Sequence, residues 1–221
     1  MFDYLVFIGR FQPFHLAHQA VIQQAFKHSK AVIILLGSAQ PEEGFSETSF
    51  RPDARVELCS SRTLKNVFTA DERETMIRAA FMPEQQSQLH FAGLIDIFND
   101  VKWTAMVKHA VQNIVGQDIF QQGSFQQAMP LEFSQPPVKI GLIGHFKDQS
   151  SYYLSLFPEW PLVELDNYFQ LSATPIRQQY LLGQLPTLQQ VPAATLDFLI
   201  HFQHTPDYRV LQQQAQQLLQ N

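Results

Sequence analysis

The sequence YLVFIGRFQPFHLAH, residues 4–18, decides the fold of this chain. Its first part, residues 4–8, is an apolar run of the kind found in a buried strand. Gly9 permits a tight exit from that strand, and Pro13 fixes the φ angle of the connecting loop. Apolar residues at helical spacing follow over residues 21–26. The order strand, short loop, helix predicts the first half of a βαβ unit.

Two histidines lie where the predicted helix begins. His15 and His18 are three residues apart, so a helix starting here points both imidazoles the same way. The N-terminal end of a helix carries unpaired N–H groups and a positive dipole potential, which suit phosphate. Two imidazoles can add hydrogen bonds to a polyphosphate without each adding a full charge. The alternative is a pair of surface histidines, but the preceding strand, glycine and Arg10 favour a phosphate site.

Strands and helices alternate along the rest of the chain. The predicted strands cover residues 3–8, 31–36, 89–95, 138–143 and 161–165. The predicted helices cover residues 16–29, 71–82, 101–115, 149–157 and 175–183. The strand at residues 31–36 is apolar throughout and the strand at residues 138–143 is apolar except for Lys139, which is typical of strands covered on both faces. The pattern predicts an α/β fold with a doubly wound, Rossmann-like parallel sheet flanked by helices, whose ligands bind at the carboxyl ends of the strands.

Three stretches depart from this alternation. Residues 40–60 and 121–137 are rich in proline, glycine and polar residues, so we interpret both as loops and assign them no function. From about residue 192 the pattern becomes helical, which predicts a helical C-terminal appendage. An apolar stripe on its last helix must pack on the same domain or on a partner. The stripe consists of Leu211, Ala215, Leu218 and Leu219.

The composition excludes several classes of protein. A formal net charge of −5 argues against nonspecific nucleic-acid binding, although a small anionic ligand needs only local positive charge. Cys59 is the single cysteine, which excludes an intrachain disulfide and a multi-cysteine metal site. The sequence lacks a leader-like N-terminus and a run long enough to span a bilayer. We therefore expect a cytoplasmic protein without a membrane partner. The sequence leaves open whether the protein forms a homo-oligomer.

A second motif, LSATPIR at residues 171–177, carries polar chemistry at a helix start. Thr174 is predicted to be the N-cap, Pro175 the first helical residue, and Arg177 a first-turn residue. Hydroxyl groups from Ser172 and Thr174 together with a guanidinium would make a phosphate clamp. The alternative is an ordinary capped helix that bears a surface arginine.

These two motifs resemble the signatures of a known family. Residues 9–18 resemble the GRFQPFHxGH signature of the HxGH nucleotidyltransferase superfamily, in the form found in nicotinamide-nucleotide adenylyltransferases, with Ala17 in place of the usual glycine. Residues 171–177 resemble its ISxTxxR sequence. Four further segments resemble family elements: a GSA turn at 37–40, RTxKNPFTxxER at 62–73, DxxxNDxxW at 96–103, and a nucleotide-side segment at 141–153.

The resemblance spans roughly residues 3–185 and is closest to the adenylyltransferase half of bacterial bifunctional adenylyltransferase/Nudix hydrolases. We therefore expect a nucleotidyltransferase domain at residues 1–185 and a C-terminal helical extension at residues 186–221. The sequence has no Gly-x5-Glu-x7-Arg-Glu-x2-Glu-Glu Nudix box, so we expect no pyrophosphohydrolase activity. Thr69 and Glu72 fit a capping box, which favours a structural role for Glu72.

The resemblance implies transfer of AMP from ATP to nicotinamide mononucleotide, which gives NAD and pyrophosphate, with Mg²⁺ arriving on ATP. It implies catalytic roles for His15, His18, Lys65 and Arg177. It implies ATP binding by Gly9, Arg10, Phe11, His15, His18, Gly144, Lys147, Ser172, Thr174 and Arg177. It implies mononucleotide binding by Phe11, Ser38, Lys65, Asp96, Asn99 and Trp103. The Trp103 ring would stack on the nicotinamide, although a tryptophan on a helix is also a common core residue.

Two other functions fit the same residues. The chain could transfer a nucleotide to another phosphate-bearing acceptor, such as phosphopantetheine or riboflavin phosphate, although the 96–103 element argues against this. It could also be a regulatory module that binds NAD or ATP without turnover. Some support for a regulatory module comes from Ala17, from the valine in place of proline at position 67 and from the 40–60 insertion. The enzyme is favoured by the two histidines and Arg177.

Overall fold

The computed structural model describes residues 1–38, 62–123, 137–145, 149–165 and 170–220. The strands are β1 (Phe2–Gly9), β2 (Ser29–Ser38), β3 (Leu89–Ile95), β4 (Ile140–Gly144) and β5 (Leu162–Glu164). The helices are α1 (Leu16–His28), α2 (Ala70–Ala79), α3 (Pro83–Gln86), α4 (Asp100–Gly123), α5 (Ala173–Leu181), α6 (Ala193–Phe202) and α7 (Pro206–Leu218), with a 3₁₀ helix at Gln149–Leu156.

The five strands form one parallel sheet in the order β3-β2-β1-β4-β5. This is the doubly wound order, and it confirms the predicted fold class. The strand order reverses between β1 and β4, so the ligand crevice of such a sheet is expected at their carboxyl ends. The pairing of these two strands stops at Val6 with Leu142, although β1 continues to Gly9 and β4 to Gly144. A gap in the ladder therefore opens on the side where the two motifs were predicted to meet.

Both faces of the sheet are covered, which explains the unbroken apolar runs. In β1, Leu5 and Phe7 pack into one buried cluster, whereas Tyr4, Val6 and Ile8 pack into a second cluster on the other face. The same alternation in β2 sends Ile34 to the first cluster and Ile33 to the second. A strand with no solvent-facing side needs apolar residues at every position.

The C-terminal helices share the first of these clusters. Leu199, Phe202 and Leu211 are buried there together with Leu5 and Phe7 of β1. Along the predicted stripe of α7, Leu211 is buried and Ala215 packs partly against the cluster, whereas Leu218 and Leu219 are 67% and 71% exposed. Half of the stripe therefore packs on its own chain. The division of the chain into a nucleotidyltransferase domain at residues 1–185 and a C-terminal extension at residues 186–221 stays a prediction.

The helices differ from prediction mainly in length and type. Helix α4 continues to Gly123 instead of ending at residue 115, and residues 149–156 form a 3₁₀ helix. The short helix α3 was not predicted. The 40–60 loop, Cys59 and most of the 121–137 loop lie outside the described residues. Among the helices that are described, none is both long enough and apolar enough to cross a membrane.

Candidate active site

The loop that leaves β1 has an unusual backbone at Phe11. Its φ angle is 51°, in the left-handed region that side chains rarely adopt, and its ring is buried. The ring packs edge-on against Phe7 at 5.2 Å and His18 at 4.8 Å between centroids. A Cβ atom on Gly9 would lie 2.9 Å from Cζ of this ring. Gly9 therefore makes room for the Phe11 ring, in addition to its predicted role where the chain leaves the strand.

Two distant segments, residues 62–73 and residues 171–177, hold the same loop by hydrogen bonds. Arg73 Nη1 donates to the Arg10 carbonyl at 2.8 Å, and Arg177 Nη1 donates to the Gln12 carbonyl at 2.8 Å. The Gln12 amide, which is 1% exposed, donates to the Phe68 carbonyl at 2.8 Å and accepts from the Phe68 N–H at 2.9 Å. The Gln12 side chain and the carbonyl groups of Arg10 and Gln12 are thus paired, which stabilises this conformation of the loop.

The two histidines lie together at the start of α1, as predicted. His15 occupies the N-cap and is 4% exposed, and its ring stacks on that of His18 at 3.6 Å and an interplanar angle of 17°. The His15 backbone N–H donates to Nδ1 of His18 at 3.4 Å, a long hydrogen bond. A nitrogen that accepts a hydrogen bond carries no proton, so in neutral His18 the proton lies on Nε2, where it can be donated.

The amides at the start of α1 are partly used by the protein itself. The Leu16 N–H, the first of the helix, donates to the Gln190 carbonyl at 3.0 Å. That amide is therefore occupied in this structure, which narrows the predicted phosphate site to the imidazoles and the following amides.

Arg177 joins the second motif to the first. Its Nε donates to the Leu64 carbonyl at 3.1 Å, in addition to the bond from Nη1 to Gln12. Burial and the nearby charge of Arg10 lower the pKa of Arg177. Loops around residues 12 and 64 and helix α5 therefore meet at one guanidinium, although they are far apart in sequence.

The predicted start of α5 was wrong by two residues. The helix begins at Ala173 with Ser172 at the N-cap, so Thr174 is not the cap and Pro175 is the third helical residue. Proline is accepted there because the first-turn N–H groups have no partner within the helix. Arg177 consequently lies in the second turn rather than the first.

Lys65 lies at the tip of a tight turn beside Arg177. Thr63 and Asn66 exchange two backbone hydrogen bonds of 3.1 Å, which places Leu64 and Lys65 at the two central positions. The Lys65 side chain is exposed. Because the Leu64 carbonyl is bound to Arg177, the turn that carries Lys65 is held next to the first motif.

The predicted mononucleotide residues Ser38 and Asp96 adjoin Arg10 across the end of β2. Arg10 Nη2 and Nε donate to Oδ2 of Asp96 at 2.7 and 3.0 Å, and the two side chains are 52% and 37% exposed. The Asp96 N–H donates to the Ser38 carbonyl at 2.9 Å. The Ser38 hydroxyl accepts from Arg73 Nη2 at 2.9 Å.

Asn99 and Trp103 both have structural contacts at the start of α4. The Asn99 Oδ1 atom accepts from the Lys102 N–H at 3.0 Å, an N-cap interaction. The Trp103 ring is partly buried, with centroids 5.9 Å from those of Tyr153 and Phe157. Ligand contacts by Asn99 and Trp103 stay predictions.

The 3₁₀ helix closes the gap beside β1. The Tyr153 hydroxyl donates to the Ile8 carbonyl at 3.2 Å, beyond the point where pairing with β4 has stopped. Burial raises the pKa of Tyr153 to about 12, so it is a neutral donor at physiological pH. Gly144 ends β4 on the other side of this gap. Lys147 lies outside the described residues, and the ATP roles of Gly144, Ser172 and Thr174 stay predictions.

The 62–73 segment is built around two arginines whose roles the sequence did not reveal. The capping box of Thr69 and Glu72 is present, which confirms the structural role of Glu72. Glu72 also binds Arg62, which reaches Asp207 of α7 at 2.7 Å.

Arg73 is 1% exposed and lies beneath the carboxyl ends of β1 and β2. The sequence did contain one signal for the burial of Arg73: it lies three and four residues before Met76 and Ile77, which places all three on the inner face of α2.

The edge of the sheet is therefore rich in donors and poor in acceptors. The guanidinium groups of Arg10 and Arg177 lie at this edge, Arg73 lies buried beneath it, and among the described residues Asp96 is the carboxylate paired with Arg10. Within the ranges that the structure describes, no group of three or more His, Cys, Asp or Glu side chains could hold a metal ion. Such an edge suits a ligand with several negative charges.

Comparison with known proteins shows which family the chain resembles. A cytidylyltransferase-like family model matches residues 6–179. The chain is 44% identical to a nicotinamide/nicotinic acid mononucleotide adenylyltransferase of Acinetobacter baylyi over 213 residues, which cover 96% of this chain and 93% of that protein. It is 29% identical to a nicotinamide-nucleotide adenylyltransferase of Methanolobus tindarius, over 87% of this chain and 85% of the relative.

A solved structure gives the same relationship. A bifunctional NMN adenylyltransferase/ADP ribose pyrophosphatase from Francisella tularensis, complexed with AMP and a manganese ion, aligns with all of this chain at a TM-score of 0.68 and 26% identity. The chain spans 54% of the Francisella protein. These matches confirm the resemblance predicted from the two motifs, and the chain belongs to the cytidylyltransferase-like family of nucleotidyltransferases.

Proposed function

We propose that this protein is a nicotinamide-nucleotide adenylyltransferase, which transfers AMP from ATP to nicotinamide mononucleotide and releases pyrophosphate. The observation that carries the proposal is the position of Arg177, whose guanidinium binds the carbonyl groups of Gln12 and Leu64. This contact gathers the histidine loop, the Lys65 turn and the 171–177 motif at one edge of the sheet. The similarity to the Acinetobacter enzyme supports the choice of substrates.

In the proposed reaction, a 5′-phosphate oxygen of the mononucleotide attacks the α-phosphorus of ATP. A new P–O bond forms as the bond from the α-phosphorus to the oxygen bridging to the β-phosphorus breaks, and pyrophosphate departs with that oxygen. The attacking phosphate is already a dianion, so the step requires no general base. Catalysis then depends on holding two anions in line and on stabilising the charge of the transition state.

The donors for the ATP phosphates are His15, His18, Lys65 and Arg177. His18 can donate from Nε2 because its Nδ1 accepts the His15 N–H. Arg177 donates two of its five N–H groups to the carbonyl groups of Leu64 and Gln12. These bonds orient the guanidinium, and its remaining N–H groups can donate to phosphate. Lys65, on its exposed turn, adds a point charge.

The mononucleotide would bind beside β2 and β3, over Ser38, Asp96 and Trp103. Arg10 and Asp96 bind one another in this structure. An incoming phosphate competes for Arg10, and the ribose hydroxyls or carboxamide of the mononucleotide compete for Asp96. The ion pair is half-exposed, so the free energy needed to separate it is small, about 1 kcal/mol or less.

We infer that the divalent ion is Mg²⁺ and that it arrives bound to ATP. The groups described at this edge are mainly cationic or neutral nitrogen donors, which suit phosphate oxygens rather than a hard cation. When bound, Mg²⁺ would neutralise part of the triphosphate charge. The Francisella relative was crystallised with AMP and manganese, which is consistent with a divalent ion on the nucleotide.

An acceptor panel tests the proposal. Purified protein, ATP and Mg²⁺ are mixed in turn with nicotinamide mononucleotide, nicotinic acid mononucleotide, phosphopantetheine or riboflavin phosphate, and pyrophosphate release is followed. We expect release with nicotinamide mononucleotide, with NAD formed in equal amount. Release only with another acceptor would assign a different transferase activity, and binding without release would favour a regulatory module.

A further inference from the structure

We propose that Arg73 is a positioning residue for the mononucleotide site, acting through the hydroxyl of Ser38. The inference rests on the proposed function and extends it to a residue in the interior of the protein. Arg73 does not face the ligand edge, since its side chain is 1% exposed. Its effect must therefore pass through the groups that it holds.

Arg73 binds the ends of two neighbouring strands. Its Nη1 atom donates to the Arg10 carbonyl at 2.8 Å, just beyond β1, and to the Gly37 carbonyl at 2.7 Å, in β2. Its Nε atom donates to the Thr69 carbonyl at 3.1 Å, at the start of its own helix. Together with the bond to Ser38, four of its five N–H donors are used, so one planar group fixes the spacing of three segments.

The charge of Arg73 is not matched by a bound carboxylate. Among the residues that the structure describes, none of the salt-bridge contacts involves Arg73, whereas Arg10, Arg62 and Arg78 each bind an acid. Burial lowers the pKa of Arg73 to about 10, which still leaves it protonated at neutral pH. A buried cation held only by carbonyl groups and a hydroxyl is costly, and a bound anion nearby offsets part of that cost.

The bond to Ser38 determines what its hydroxyl can do. Arg73 Nη2 donates to the Ser38 Oγ atom at 2.9 Å, and a guanidinium cannot accept a hydrogen bond in return. The hydroxyl proton of Ser38 must therefore point to another acceptor. Because Ser38 ends β2 at the ligand edge, that acceptor is assigned to the mononucleotide, and Arg73 is what turns Ser38 into a donor.

A double-mutant cycle tests this relay. Arg73→Lys and Ser38→Ala are made singly and together, and the Kd of nicotinamide mononucleotide is measured by calorimetry alongside its KM and kcat. Lysine keeps the charge but lacks the planar fork that reaches several acceptors. Each single variant is expected to weaken mononucleotide binding by about tenfold, as for loss of a hydrogen bond to a charged group. The double variant should be no weaker than the worse single variant.

Arg78→Lys is the matched control, because Arg78 lies on the same helix and binds Glu74 and the Gln86 carbonyl. It is expected to change mononucleotide affinity by less than about twofold. Independent effects that multiply in the double variant, or an equal loss in Arg78→Lys, would overturn the relay.

Ser38→Ala keeps the test decisive if Arg73→Lys fails to fold in a thermal melt. Unchanged mononucleotide affinity in Ser38→Ala would refute the inference by itself. Ser38→Thr, which retains a hydroxyl, is expected to recover most of the affinity. If the wild-type protein forms NAD and Arg73→Lys binds the mononucleotide with normal affinity, only the role of Arg73 is refuted. Wild-type protein that neither binds the mononucleotide nor forms NAD would refute the proposed function as well.

Discussion

Replacing Gln12 with leucine tests how the first loop is held. The Gln12 amide is buried and makes two hydrogen bonds, of 2.8 and 2.9 Å, with the carbonyl and N–H of Phe68. Leucine has a similar volume but no polar atoms, so Gln12→Leu would leave both Phe68 groups buried without these partners. Each group orphaned in this way costs about 1–3 kcal/mol. Part of that cost is offset by burial of leucine, so we expect the free energy of unfolding to fall by about 3 kcal/mol.

Urea unfolding followed by circular dichroism measures this difference. The midpoint should fall with an unchanged m-value, and Tm should fall by about 6–12 °C. Gln19→Leu is the matched control, since Gln19 donates one part-buried bond of 2.9 Å to the Ala80 carbonyl. Its expected cost is about 1 kcal/mol or less. A Gln12→Leu variant within 1 kcal/mol of wild type, or no less stable than Gln19→Leu, would refute the argument that buried pairing fixes the loop.

Three further predictions concern the site and its surroundings. His18→Ala should lower kcat by on the order of 10²-fold while leaving the Kd of the mononucleotide nearly unchanged, and equal losses in both quantities would remove its transition-state role. Trp103→Ala should raise the KM for the mononucleotide and leave the KM for ATP as it is, and unchanged mononucleotide kinetics would place Trp103 outside the site. Burial raises the pKa of Tyr153 above its unfolded value of 10 to about 12, so its contribution to stability is complete below pH 10 and is lost as pH rises toward 12. Urea unfolding of wild type and Tyr153→Phe should show wild type losing about 1 kcal/mol more between pH 9 and pH 11, whereas parallel losses would refute that assignment.

The sheet was predictable because its signal is local. The strand bounds from the sequence are within two residues of those in the structure, since unbroken apolar runs such as residues 31–36 leave little choice of element. Helix α4 is longer than predicted because it continues through Gly116 to Gly123. A glycine costs a helix only about 1 kcal/mol, and the buried side chains of Val107, Val111 and Val115 already dock the helix on the sheet.

Helix α5 shows where local signals become ambiguous. Ser172 and Thr174 are both good N-cap residues, and Pro175 is accepted anywhere in the first turn. Ile176 and Tyr180 are helical with either start, so their burial does not distinguish the two N-caps, and the local sequence leaves the choice open.

The polar contacts of the site were beyond sequence reasoning. Arg177 and Gln12 are 165 positions apart, Arg73 and Arg10 are 63 apart, and Gln12 and Phe68 are 56 apart. Motifs predicted that these segments approach one another. They did not reveal that Arg73 would be buried beneath the strands, or that Arg177 would bind backbone carbonyl groups as well as face the ligand edge.

The convergence of these donors on one triphosphate is tested most directly by a crystal structure with α,β-methylene ATP and Mg²⁺. We predict phosphate oxygens within hydrogen-bond distance of His18, Lys65 and Arg177, at the carboxyl end of β1. A triphosphate bound elsewhere, or one bound there beyond the reach of both His18 and Arg177, would contradict this prediction.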